Sequence, residues 1–179
     1  ARYHLPPHNL KSLASEAHKL GLKFICSVFS KREADSLVDH VDMFKIASMD
    51  LDNTPLLVHV ASKRKPTILS VGMGRPDEVA HAIETLRKNP LTVLHCVSLY
   101  PCPLEKANLN KIDYYKRILG KQAINVGFSD HTEGITAAMV AVAKGAWMIE
   151  KHFTMDKSQE GWDHAHSADP EEMYNLVTA

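Results

Sequence analysis

Leu91-Thr92-Val93-Leu94-His95-Cys96-Val97-Ser98 is a near-continuous apolar run of strand length that ends in a hydroxyl. A strand with one wet face alternates apolar and polar residues. One that stays apolar throughout suits a parallel sheet covered on both faces. The same signature recurs on either side: residues 24–29, 43–48 and 67–72 come before it, and residues 123–128 and 147–153 after it. Amphipathic stretches lie between these runs, predicting helices over 11–20, 33–41, 56–62, 79–89, 109–120, 133–144 and 170–177. Asp52-Asn53-Thr54-Pro55, Arg75-Pro76-Asp77-Glu78 and Asp169-Pro170-Glu171-Glu172 are helix starts, with a capping side chain, proline in the first turn or early acidic residues. Gly120 and Gly145 stand where left-handed helix ends are expected.

A parallel sheet of βα units is either doubly wound or closed into a barrel. No GxGxxG or GxxxxGK[ST] segment is present, so the glycine-rich phosphate turn of a nucleotide-binding sheet is missing. Hydrophobic residues make up 45% and charged residues 23% of 179, the balance of a folded globular chain. The formal net charge of zero gives no reason to expect a nucleic-acid or anionic-membrane partner. No apolar run reaches membrane-span length, and nothing resembles a signal peptide. Cys26, Cys96 and Cys102 lack metal or redox spacing and read as buried free thiols of a cytoplasmic protein. The chain begins at Ala1 rather than Met, which suggests a piece of a longer protein.

Reactive groups collect where the apolar runs end. In order they are Ser27, Lys45 with Ser48, Ser70, His95 with Ser98, Ser129-Asp130-His131 and Glu150-Lys151-His152. The C-terminal strand ends of a barrel surround one site, so these groups are expected together. Lysines and hydroxyls suit phosphate and carboxylate oxygens, and two imidazoles from neighbouring strands suit a divalent metal. Plainer readings exist for each. Lys45 would be an alternation slip at a sheet edge, Ser48 and Ser70 helix caps, and His95, His131 or His152 satisfied core histidines. His131 and His152 weigh more as a pair at successive strand ends, whereas His95 stays open between core and site. His4, His8, His18, His40, His59 and His81 read as surface residues.

Read in order, Phe44-Lys45-Ile46-Ala47-Ser48, Leu69-Ser70-Val71-Gly72-Met73, residues 94–101, residues 127–134, Ile149-Glu150-Lys151-His152-Phe153-Thr154 and Gly161-Trp162-Asp163-His164 resemble the sialic acid synthases and their legionaminate, pseudaminate and spore-coat-polysaccharide relatives. The resemblance runs from about Leu20 to the end. It implies an α/β fold, a (β/α)8 TIM barrel of which this chain holds strands 3 to 8, without strands 1 and 2 and without a C-terminal antifreeze-like domain. Residues 1–179 would then be a partial catalytic domain, inactive or weakly active alone. It implies a divalent cation, Mn2+ or Mg2+, on His131 and His152. It implies phosphoenolpyruvate on Ser27, Lys45, Ser48, Ser70, Ser98, Ser129 and Lys151, with Tyr100 in the substrate site. Asp50 matches the position that contacts the amino-sugar acceptor, and Asp163 a loop aspartate near the reacting carbons. Asp163, Lys151 and Lys45 are the implied catalytic residues. A cytoplasmic homodimer is implied for the full-length protein.

The expected activity is condensation of phosphoenolpyruvate with an N-acetylated amino sugar resembling N-acetylmannosamine. Two alternatives compete with it. In a Schiff-base aldolase, Lys45 or Lys151 would be the nucleophile. A non-catalytic sugar-binding relative would keep the scaffold without turnover. The pattern departs from the family at Asp50, where glutamate is common, at Ser98, where some members have asparagine, and at Val97, where threonine is common.

Overall fold

The computed structural model describes residues 5–179, so the surface reading of His4 lies outside the described residues. Six strands alternate with helices: β1 (Ile25–Ser27), β2 (Met43–Ile46), β3 (Thr67–Ser70), β4 (Leu91–Cys96), β5 (Asn125–Asp130) and β6 (Ile149–Lys151). Their hydrogen-bonded order is the chain order. The chain folds as two compact units, Ala1–Leu69 with Gly74–Leu91, and Ser70–Met73 with Thr92–Ala179.

In the first unit β1 pairs in parallel with β2, setting Ser27 beside Lys45, and β2 pairs in parallel with β3, setting Lys45 beside Ile68. Helices α1 (Pro7–Lys19), α2 (Lys31–Leu37), α3 (Thr54–Ser62) and α4 (Pro76–Leu86) supply the rest. Phe44, Ile46, Leu37, Leu56, Leu57, Leu69 and Leu86 are fully buried. Each such side chain stabilises the fold by about 1.5–3 kcal/mol relative to exposure. Asn53 caps α3 by accepting from the Leu56 N–H, as the Asp52-Asn53-Thr54-Pro55 signal predicts. Lys45 is buried on a strand paired on both sides, so the edge-slip reading does not hold.

In the second unit β4, β5 and β6 run parallel, with Cys96 beside Ser129 and Asp130 beside Lys151. Helices α5 (Asn110–Leu119), α6 (Thr136–Ala143) and α7 (Pro170–Thr178) accompany them. Val93, Leu94, Phe128, Ile112 and Ala138 form the core. His95 belongs to it: Nε2 donates to the Ala107 carbonyl at 2.8 Å, and the ring stacks on Phe128.

Several boundaries differ from the expected ones. Gly120 does not end a helix in the left-handed region. Its φ is −58°, the chain continues through a 3-10 turn (Gly120–Gln122), and Ala123 takes the left-handed conformation at φ 56°. This delays β5 to Asn125. At its other end β5 runs on through Ser129 and Asp130, because Glu150 and Lys151 pair with them. Gly145 behaves as predicted at φ 80°, with the Ala146 N–H bonding Ala141 and the Gly145 N–H bonding Val142, a Schellman end. Cys96 and Cys102 are buried as read, but Cys26 is only half-buried beside exposed Ile25. Among the described residues no helix is long and apolar enough to cross a membrane.

Gly127 sets the approach of β6 to β5. A Cβ there would fall 2.4 Å from the Met148 carbonyl oxygen and 2.6 Å from a Leu94 methyl. The backbone oxygen cannot retreat without breaking its bond from the Phe128 N–H, which is 2.9 Å long. Gly127→Ala should therefore destabilise the protein by about 1–3 kcal/mol. Urea unfolding followed by circular dichroism checks this; an unchanged midpoint would show that the approach is not tight.

Candidate functional site

The first unit carries its expected site residues at the ends of β1 and β2. Ser27 is exposed, and its register partner Lys45 is buried. Ser48 and Asp50 lie on the 3-10 turn (Ser48–Asp50) that follows β2, and Asp50 accepts a hydrogen bond from Asn53 at 2.9 Å. An ammonium, two hydroxyls and a carboxylate thus stand within a short stretch of that unit.

The second unit carries the denser cluster. Asp130 and Lys151 form an ion pair at 3.0 Å with side-chain exposures of 0% and 2%. Lys151 also donates to the Thr132 carbonyl at 2.8 Å, while the other Asp130 oxygen accepts from the Thr132 N–H at 2.8 Å. Both Lys151 contacts are to acceptors, so the nitrogen is placed as a donor with one N–H left over. This web brackets His131 and immediately precedes His152.

His131 is held by its backbone and by one ring bond. Nδ1 lies 2.7 Å from the Val97 carbonyl, which only accepts, so Nδ1 carries the proton and Nε2 the lone pair. Ser129 Oγ lies 3.3 Å from that Nε2 but 2.7 Å from a Glu150 carboxylate oxygen. Its single proton goes to the closer, charged acceptor, leaving the His131 lone pair without a donor. A backbone carbonyl that fixes the tautomer and frees the second nitrogen is how metal-binding imidazoles are commonly oriented.

His152 stands 5.6 Å from His131, ring centre to ring centre, and 5.5 Å from His166. Tyr100 lies against His131 at 4.2 Å. Burial pushes the Tyr100 hydroxyl up and all three imidazoles below the ordinary histidine value. His152, Asp163 and His166 offer ligand atoms within 4.8 Å of one another. The donor set of neutral imidazoles and a carboxylate fits a divalent metal ion.

Asp163 and His166 reach the site through the segment that follows β6. Its two ends are stapled: the Ala168 N–H bonds the His152 carbonyl, and the Thr154 N–H bonds the Ala168 carbonyl. Asp169 then caps α7 reciprocally with Glu172, fixing the return. His164, by contrast, is bonded to Thr154 at 2.7 Å.

The remaining expected residues fall in the same unit. Ser70 is buried and its hydroxyl has no hydrogen-bond partner. Ser98 lies beside Gly72, where a Cβ would come within 2.9 Å of its Oγ. The second unit therefore brings together Tyr100, Ser129, His131, Lys151, His152 and Asp163, and the first unit holds Ser27, Lys45, Ser48 and Asp50. Asp130 and Glu150 are expected only as members of the strand-end groups, without a role of their own, and His166 is not expected in the site at all. A signal for His166 was present: it follows Asp163 by three residues, the spacing that puts two side chains on one side of a helical turn.

Comparison with known proteins places these residues in context. A sequence profile described as the NeuB family matches residues 1–179. N,N'-diacetyllegionaminic acid synthase of Legionella pneumophila is 42% identical over 173 residues, covering 92% of this chain and 48% of that protein. An uncharacterized protein of Methanocaldococcus jannaschii is 48% identical over 169 residues, covering 92% and 49%. The crystal structure of N-acetylneuraminic acid (sialic acid) synthetase from Leptospira borgpetersenii, in complex with citrate, superposes with a TM-score of 0.92 at 35% identity, covering 98% of this chain and 61% of that one. The chain spans about half the length of the curated relatives it matches.

Two outcomes are expected from this geometry. Asp130→Ala leaves a buried ammonium without its counter-charge and should cost about 3–5 kcal/mol, read from urea unfolding; a loss below 1 kcal/mol would contradict the pair's burial. Second, imidazoles whose native values lie below the unfolded value of about 6.5 bind fewer protons folded than unfolded. Their contribution to stability is present above that pH and lost as the pH falls through the native values. Unfolding midpoints in chelator should fall between pH 7.5 and 5.5; a midpoint that holds or rises would contradict the burial of these rings.

Proposed function

The chain belongs to the NeuB family, and from that premise we propose that it is part of a synthase that joins phosphoenolpyruvate to an N-acetylated amino sugar, releasing phosphate and a nonulosonic acid. The observation that carries this reading is the His131 and His152 pair, with the His131 lone pair left open by the Val97 bond. A divalent cation held by these imidazoles would supply a Lewis acid for an aldehyde oxygen. The six strands are read as strands 3 to 8 of a (β/α)8 barrel, a fold whose active sites lie at the C-terminal strand ends.

The chain's own side chains then divide the work. Lys45 and the spare N–H of Lys151 offset negative charge on phosphate and carboxylate oxygens. The Ser27, Ser48, Ser70, Ser98 and Ser129 hydroxyls orient those oxygens, and the unpartnered Ser70 hydroxyl is a donor awaiting an acceptor. Tyr100 packs against the imidazoles and limits water. Asp50 faces the acceptor sugar, and Asp163 handles a proton or orders water on the segment that follows β6. The balance is simple: the phosphoenolpyruvate C3 bonds to the aldehyde carbon, one water adds at C2, and phosphate leaves.

Lys151 is poorly suited to the aldolase reading, because its nitrogen already donates to Asp130 and Thr132. Phosphate release from phosphoenolpyruvate, assayed with Mn2+ and a panel of N-acetylated amino sugars, should require the sugar and fall at least a hundredfold, on the order of 3 kcal/mol in barrier, in His131→Ala. Borohydride should trap no adduct. Release without any sugar dependence, or a trapped lysine adduct, would sink the condensation.

A further inference from the structure

His166 has no place in the expected site, yet it is the most buried imidazole of the cluster at 4% exposure. Its Nε2 is buried and has no hydrogen-bond partner. Buried polar atoms are normally hydrogen-bonded, as His95 Nε2 is to the Ala107 carbonyl. What faces the His166 Nε2 is the Asp163 carboxylate, one oxygen of which lies 3.7 Å away. The other oxygen of that carboxylate lies 3.9 Å from His152 Nδ1. Both separations are too long for hydrogen bonds. Two ligands bound at about 2.1 Å to one ion stand roughly 3.0–4.2 Å apart, which brackets both.

We propose that His166 Nε2, the Asp163 carboxylate and His152 Nδ1 are three ligands of one divalent transition ion, so that the cation site of this chain is larger than the His131 and His152 pair. The inference rests on the metal-site reading above and shares His152 with it. Two imidazoles and one carboxylate gathered on one side of an ion leave its other positions open to substrate oxygens or to His131. Such a nitrogen-rich set favours Co2+, Fe2+, Zn2+ or Mn2+ over Mg2+, which prefers oxygen donors and keeps its waters. The segment is built for this role. The 3-10 turn (His164–His166) follows Asp163, and the Ser167 N–H and hydroxyl both bond the Asp163 carbonyl at 3.1 and 2.7 Å. These bonds fix the turn that presents both side chains to His152.

Titration with Co2+ alone, followed by its visible absorption and by calorimetry, tests the assignment independently of turnover. His166→Phe keeps the buried volume, and Asp163→Ala changes an exposed side chain. Both should raise the Co2+ dissociation constant about tenfold or more and weaken the visible band, while Mg2+ binding changes less. If His166→Phe fails to fold by circular dichroism, Asp163→Ala decides by the same readout. Unchanged Co2+ affinity and spectrum in the folded variants overturn the ligand set even if phosphate release stays metal-dependent. Loss of Co2+ binding in a protein that releases no phosphate keeps the ligand set and removes the condensation instead.

Discussion

The buried pair of Asp130 and Lys151 is the constraint on which the second unit's chemistry depends. Taking both charges out of water is costly, and it is tolerable only because each charge is paired and further hydrogen-bonded. One Asp130 oxygen holds Lys151 and the other holds the Thr132 backbone, while Lys151 reaches the Thr132 carbonyl. The ends of β5 and β6 are thereby tied at one register. Alternation along the strand does the rest. Ser129 and His131 share one side, as their 3.3 Å contact shows, and Asp130 sits between them with its own partner.

Further support comes from groups that carry no chemistry themselves. The Val97 carbonyl selects the His131 tautomer, and the Glu150 carboxylate draws the Ser129 proton away from it. Gly127 permits the close approach of the Met148 backbone, without which β6 would not present Lys151 and His152 where they stand. The segment after β6 is polar and largely exposed, yet its two ends are fastened by the Thr154, Ala168 and His152 backbone bonds. Such a segment holds Asp163 and His166 near His152 without a core of its own.

Much of this was legible in the sequence, and the reasons are physical. Apolar runs such as Leu91 to Cys96 have no wet face, so they announce a covered parallel strand wherever they occur. Polar groups closing those runs announce a site. Propensity rules misled at Gly120, because the chain there continued into a 3-10 turn and left the strained position to Ala123. From sequence alone Ser129 and Asp130 fall after the strand, since their polarity is visible there and their pairing with Glu150 and Lys151 is not. The spacing of His166 from Asp163 is a weak signal by itself: its meaning lies in an unfilled bond toward Asp163, which only the folded segment reveals.

The cation proposed at the imidazoles following β5 and β6 can be sought directly. Anomalous diffraction at the manganese edge, from crystals of the protein soaked with Mn2+ and phosphoenolpyruvate, locates it. One strong peak is expected within bonding distance of His152 and of a second imidazole, His131 or His166. A peak elsewhere on the molecule, or none at saturating Mn2+, would contradict that placement.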